Sequence, residues 1–433
     1  MSEPLNIMII GAGTGGLCLA HGLRADGIAA EVFERDRSSE DQQPGYRLSI
    51  SATGSSALRD CLPAALYRKL VARSADPSTG VTFLDHQLNE LLRINFQHVD
   101  RQDQDAERPV SRTTLRRILL EGLDESVRFG KKFQSFEDGP GGTVVAHFAD
   151  GSSASGTLLV GADGASSHVR SLLLPQARRI ETDIVAVGGK VPLSEATRTS
   201  VPEPILAGPT PLGPRGCFMF ASAVQYRGNP DLMITPVDER EEYVMWGFSA
   251  RRHKFGRTEL QGLEPDDLKS IVLALMSDWH ESLRGLVQAA APASVSAFLV
   301  KTSVPIDPWP TRNVTLLGDA LHNMTPFRGV GANTALRDAA ALHRSLVAVN
   351  RGEAELLLAL AAYETRHGRL WVRRSAHLTR RHGAISRGRA AFTHDHQSNV
   401  SARQSHSSLA GHVPRRTIMA APEVRTSRHV HCA

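Results

Sequence analysis

Asn6-Ile7-Met8-Ile9-Ile10-Gly11-Ala12-Gly13-Thr14-Gly15-Gly16 is the stretch whose reading decides the fold. A short, mostly apolar run passes straight into glycines, as a buried strand does when it ends in a tight turn. Beyond the turn, Leu17, Leu19, Ala20 and Leu23 recur at helical spacing until Asp26-Gly27 stops the helix. Ala29-Ala30-Glu31-Val32-Phe33 then reads as a second strand. Strand, helix and strand in this order form a βαβ unit of a parallel sheet. In such a unit Gly11 permits the turn, Gly13 lets backbone approach a pyrophosphate, and Gly16 lets helix and strand pack closely. The anion would rest on the helix N-terminus, where free N–H groups and the helix dipole favour it. Glu34 closes the second strand where a carboxylate can accept hydrogen bonds from ribose hydroxyls. Taken alone, this fingerprint does not separate NAD from FAD.

Further along, residues 45–51 alternate as a strand and 55–62 read as a helix up to Pro63. Residues 144–148 and 153–160, around the turn Asp150-Gly151, read as a hairpin followed by a strand ending at Gly161. From about 180 to 304 the chain becomes β-rich, at 184–191, 217–224, 243–248 and 294–300, with Pro and Gly between. Residues 314–317 return to the first domain, 333–350 form a long helix, and 353–378 are helical again. The expected class is α/β: a Rossmann-like domain over 1–178 and 305–385, interrupted by a β-rich substrate domain over 179–304. The second part of the first domain carries a C-terminal helical segment, and 386–433 are expected to be a disordered basic tail.

A chain of 433 residues has room for two or three cores. Its net charge of +5 invites a nucleic-acid reading, but the tail alone carries it, with seven arginines against two acids from Ser386 onward. No apolar run is long enough to span a bilayer. The residues before Asn6 lack the pattern of a signal peptide. Cys18, Cys61, Cys217 and Cys432 are scattered, as free thiols in a reducing compartment would be. A cytoplasmic protein without nucleic-acid partners or stable membrane insertion is expected. No metal centre is expected either, since His429-Val430-His431-Cys432 reads as solvated tail.

Two further motifs give the fingerprint its meaning. Leu158-Leu159-Val160-Gly161-Ala162-Asp163-Gly164 is a strand running into a turn, followed by Ser167 and Arg170. Gly318-Asp319-Ala320 ends another strand and leads into Pro326-Phe327-Arg328-Gly329-Val330-Gly331-Ala332-Asn333. In this order and at these separations the three motifs resemble the FAD-dependent aromatic hydroxylases, which are single-component flavoprotein monooxygenases. The resemblance runs from about Asn6 to Ala341. It implies FAD as cofactor and NADPH or NADH as co-substrate. It places Asp163 and Gly164 by the flavin, Asp319 on its ribityl chain, and Arg112 near its phosphates. Pro326, Gly329, Gly331, Ala332 and Asn333 would shape the loop and helix start that face the flavin ring, with N–H donors towards its charged edge. Arg35 lies along the adenine or in solvent, and Arg112 has a plain surface arginine as its alternative.

The resemblance implies hydroxylation of an aromatic or polycyclic small molecule by NAD(P)H and O₂ through a flavin C4a-hydroperoxide. Where many family members carry Gln, this chain has Arg328. It binds an acidic substrate, stabilises reduced flavin, or pairs with a carboxylate. His322 reads as a structural histidine bonding backbone. Tyr46, Arg47, Phe218, Phe220, Trp246 and Phe248 are candidate pocket walls, with Arg47 and Trp246 first. An epoxidase or Baeyer–Villiger-type oxygenase remains an alternative on the same scaffold, and a non-enzymatic binding module is a second.

Overall fold

The computed structural model describes residues 4–39, 46–96, 106–214, 216–226, 241–256, 259–325 and 329–366. Expectations for Pro326, Arg328 and the 386–433 tail fall outside these residues. A five-stranded sheet has the order Val314–Leu316, Leu158–Gly161, Asn6–Ile10, Ala29–Phe33, Val127–Arg128, and every pair in it is parallel. The strand Asn6–Ile10 lies near its centre and is buried on both faces, which explains an apolar run without polar alternation. Ile7 and Ile9 face one core with the helix Thr14–Ala25 and the long helix Gly331–Asn350. Met8 and Ile10 face the other, with Phe33 and Phe148. The period of two along this strand thus joins two cores.

The helix Thr14–Ala25 is buried almost along its length because the long helix covers its outer side. A small sheet of Phe133–Asp138, Val144–Phe148 and Ser153–Gly156 packs beside the parallel one. Arg47–Ile50 pairs antiparallel with Arg108–Ser111.

The second large sheet has seven strands, in the order Ser296–Ser303, Arg179–Pro192, Tyr243–Arg251, Cys217–Val224, Thr210–Leu212, Gly80–Leu84, Glu90–Asn95. Its last two strands come from well before residue 179, so the sheet is not confined to the 179–304 stretch. They join through a parallel contact of Leu84 with Leu212. Two helices, Pro265–Leu275 and Glu281–Gln288, also interrupt the β-rich stretch. Pro265 at the first turn, with Asp266 and Asp267 beside it, favours the first of them. Both cover one face of the seven-stranded sheet, where Val187, Met219, Val244, Trp246 and Phe248 meet Val272, Met276 and Leu283. Burial of each such side chain contributes about 1.5–3 kcal/mol.

The long helix starts at Gly331, slightly before the expected Asn333. After it, 356–366 are helical. Glu364 anchors that stretch, accepting from Thr311 Oγ1 at 2.7 Å and Thr315 Oγ1 at 2.9 Å.

Candidate functional site

The glycine turn after Asn6–Ile10 is built by exclusion. Gly11 has φ +109°, and a Cβ there would lie 2.6 Å from the Ala162 carbonyl oxygen. A Cβ on Gly16 would lie 2.2 Å from the Gly11 carbonyl oxygen. Neither position admits a side chain. Gly13 differs, since its Cβ would find nothing nearer than the Ala162 oxygen at 4.0 Å. That side is an open cradle which a side chain would narrow. Gly13 also caps the helix Thr14–Ala25 without any side-chain hydrogen bond, so the leading N–H groups are left for an anion.

Glu34 is buried beside this turn. Its Oε2 accepts from the Ala12 N–H at 2.6 Å and its Oε1 from the Asp36 N–H at 3.0 Å. A carboxylate has about four acceptor positions, so capacity remains for hydroxyl donors. Arg35 is exposed. The helix Arg112–Leu120 runs alongside, its start capped by Ser111 Oγ accepting from the Thr114 N–H at 3.0 Å. Arg112 is exposed and its charge acts on Asp319. One turn later, Arg116 is buried, donating from Nη1 to Asp36 Oδ2 at 3.1 Å. Sequence reading misses Arg116, because burial alone distinguishes it from its neighbours.

The two aspartate turns are held together by long-range contacts. Asp163 Oδ2 accepts from the N–H groups of His168 at 2.7 Å and Val169 at 3.2 Å. Its Oδ1 is buried with no hydrogen-bond partner among the described residues. Gly164, with φ +75°, completes the turn. Arg170 donates from Nη2 to the Ala165 carbonyl at 2.9 Å and from Nη1 to the Ala320 carbonyl at 2.9 Å. This buried guanidinium therefore clamps the Asp163 turn to the Asp319 turn.

Gly318 donates its N–H to Asp338 Oδ2 at 3.0 Å, and His322 Nε2 lies 2.6 Å from the same oxygen. His322 thus pairs with a fully buried carboxylate of the long helix, where the sequence reading expects backbone. Asp319 Oδ1 lies 3.6 Å from where a Gly331 Cβ would stand, beside the start of that helix. Burial raises the Asp319 carboxyl above its ordinary range, opposed by the charges of His322, Arg112 and Arg179. Gly329, with φ +59°, precedes the helix and Ala332 lies in its first turn. Asn333 turns its side chain to protein, accepting from the Ser51 N–H at 2.9 Å and donating to the Ser49 carbonyl at 2.7 Å.

Those two serines belong to the strand Arg47–Ile50 and its end, and Arg47 reaches the other way. Its Nη1 donates to Ser222 Oγ at 2.8 Å, on the face of the seven-stranded sheet away from the two helices. Alternation puts Phe218, Phe220, Met245, Gly247 and Lys190 on this face too. Tyr46 also lies against it, 3.1 Å from where a Gly188 Cβ would stand. A Cβ on Gly247 would meet nothing within 4 Å. Lys190 Nζ stands 4.6 Å from the centre of the Tyr243 ring, and burial lowers its ammonium below the ordinary range. Trp246 and Phe248 occupy the helix-covered face instead, Trp246 being 1% exposed. They are core, because strand neighbours one residue apart point to opposite faces.

The cradle at Gly13, the uncapped helix start and the unpartnered Asp163 oxygen fit a ligand with a pyrophosphate and a hydroxylated chain. Comparison with known proteins agrees. A family model described as FAD binding domain matches residues 5–373. The chain belongs to this FAD-binding family, and the resemblance to FAD-dependent aromatic hydroxylases stands.

Among individual relatives, the dual O-methyltransferase/FAD-dependent monooxygenase elcB of Phaeosphaeria nodorum is 33% identical over 380 residues, covering 78% of this chain and 40% of that protein. The chain thus spans about two fifths of that relative's length. The FAD-dependent urate hydroxylase of Mycolicibacterium vanbaalenii is 26% identical, over 92% of this chain and 91% of its own. The crystal structure of an FAD containing monooxygenase from Photorhabdus luminescens subsp. laumondii superposes with a TM-score of 0.78 at 29% identity. That match covers 90% of this chain and 100% of the other. Among the described residues, no helix is long and apolar enough to cross a membrane.

Proposed function

We propose that the chain is an FAD-dependent monooxygenase that hydroxylates a planar, conjugated small molecule with NADPH or NADH and O₂. One observation carries the reading. The helix start beside Asp319 and the open sheet face are tied to the two ends of one strand, Arg47–Ile50, through Asn333 and Arg47. A strand of this length spans roughly 10–14 Å, so a ring at the helix start and a substrate on the open face lie within reach of each other.

In this reading the pyrophosphate rests on Gly13 and the start of Thr14–Ala25, with Glu34 on the adenosine ribose and Arg112 near the phosphates. Asp163 Oδ1 and Asp319 accept from the hydroxylated chain. N–H groups around Gly331 and Ala332 face the flavin ring, where they stabilise negative charge. When bound, FAD supplies the electron storage and oxygen activation that no side chain here provides. The chain's own residues hold it, keep Asp163 and Asp319 aligned through Arg170, and present an apolar wall. Phe218, Phe220 and Met245, with open space over Gly247, suit a flat ring system. Lys190 and Arg47 suit an acidic hydroxyl or carboxyl group on it. The relative named as a urate hydroxylase is in keeping with a substrate of that kind.

The test is anaerobic reduction of the bound flavin by NADPH and by NADH, followed optically, with and without phenols and polycyclic aromatics. Reduction that accelerates with one class of ring is the expected result. Bound flavin that neither nicotinamide reduces, whatever ring is present, would overturn the monooxygenase reading.

A further inference from the structure

Arg116 has donors to spare in a place where donors are costly. Its side chain is 8% exposed, and among the described residues only Nη1 finds a hydrogen-bond partner, Asp36 Oδ2 at 3.1 Å. Nε and Nη2 are buried with no hydrogen-bond partner among the described residues. Nη2 comes no closer than 4.0 Å to Glu34 Oε2, an ion pair without a hydrogen bond. Those two N–H groups form one edge of the guanidinium, a planar fork that matches two oxygens side by side. Leaving such a fork buried and unmatched is unfavourable.

The position of the fork narrows what would satisfy it. Arg112 and Arg116 are one turn apart on the same helix, so both side chains run along one face. Arg112 acts on Asp319, at the far end of the cofactor site. Arg116 lies against Glu34 and Asp36, at the end of the second strand. Glu34 has one oxygen on the Ala12 N–H of the glycine turn and the other on the Asp36 N–H, and can only accept. A vicinal hydroxyl pair can both give protons to Glu34 and take hydrogen bonds from Arg116. Two vicinal hydroxyls present two oxygens at the spacing of the fork.

We infer that Arg116 is a binding residue for the adenosine ribose, its Nε–Nη2 edge donating to the vicinal 2′- and 3′-hydroxyls that donate to Glu34. The inference rests on FAD lying along the glycine turn. It assigns Arg116 a part in selecting an intact ribose, beyond holding Asp36 in place.

The experiment uses the full chain stripped of flavin, titrated calorimetrically with ADP, 2′,3′-dideoxy-ADP and FMN. Wild-type protein should prefer ADP to the dideoxy compound by about tenfold or more, as two matched charged hydrogen bonds would give. Arg116→Met removes the fork, and Arg116→Lys keeps the charge without it should the first variant fold poorly. Either should cut that preference to about threefold or less, leaving FMN affinity within about twofold of wild type. A variant that keeps the tenfold preference would overturn the assignment, as would FMN affinity falling in step with ADP. Wild-type protein that takes up neither FAD nor ADP would overturn the cofactor reading and this inference with it. A wild type that binds FAD while the variants keep their preference would overturn this inference alone.

Discussion

The two large sheets use the same alternation of side chains to opposite ends. In the five-stranded parallel sheet both faces are covered, so nothing along Asn6–Ile10 is free to do chemistry. In the proposed function its part falls to the turns at the strand ends, at Gly11, Asp163 and Asp319. Among the described residues, helices cover the seven-stranded sheet on one face only. In the proposed function its substrate wall is spread along strands, in Phe218, Phe220, Met245 and Lys190, and depends on which way each residue points. A site made of turns is compact in sequence, whereas a site made of a sheet face is not.

The sharpest way to break the comparison is at the first turn. Gly16→Val would force a side chain against the Gly11 carbonyl, where even a Cβ comes within 2.2 Å. Purified protein should carry no flavin, read from its visible absorbance, and normal flavin content would contradict the close packing described here. Trp246→Ala and Phe220→Ala test the two faces of the seven-stranded sheet against each other. Trp246 is core, so its truncation should cost about 3–5 kcal/mol in denaturant unfolding. Phe220 is half-buried on the open face. Its truncation should cost about 1 kcal/mol and act mainly on the ring-dependent acceleration of flavin reduction. Equal stability losses at the two positions would undo the assignment of faces.

A smaller effect is expected away from both sheets' sites, at Glu364. Burial raises its carboxyl pKa above the ordinary 4.5, against the hydrogen bonds from Thr311 and Thr315. The protonated form therefore suits the fold. Its contribution is present below pH 4.5 and is lost as pH rises through the higher folded value. Glu364→Gln should gain stability relative to wild type as pH rises from 4 to 8. Melting curves at several pH values would show it, and a difference independent of pH would count against it.

The turns were legible because their residue types are forced. Only glycine fits at 11 and 16, and the strand before and helix after follow from apolar spacing. Asp163 and Asp319 stood out through the resemblance of the whole set of motifs. How they are joined did not: Arg170 stood out only as a neighbour of the Asp163 turn, while its reach to the Ala320 carbonyl, like that of Asp338 to the Gly318 N–H, is a tertiary event. Arg116 is similarly hidden beside Arg117 in the same helix. Trp246 drew attention as a large aromatic, but its side of the sheet depends on pairing with Gly189 and Ala221, which one strand alone does not reveal. The helix Pro265–Leu275 carried its signal in Glu264-Pro265-Asp266-Asp267, masked by the β-rich strands around it. Gly80–Leu84 joins the second sheet through a single parallel contact, a tertiary event with no local signature.

The most direct test of the account is the stoichiometry of FAD on the full chain, stripped and then titrated with the pure cofactor. One FAD per chain, with uptake abolished by Gly16→Val, is the predicted result. A correctly folded wild-type chain that takes up no FAD would contradict it.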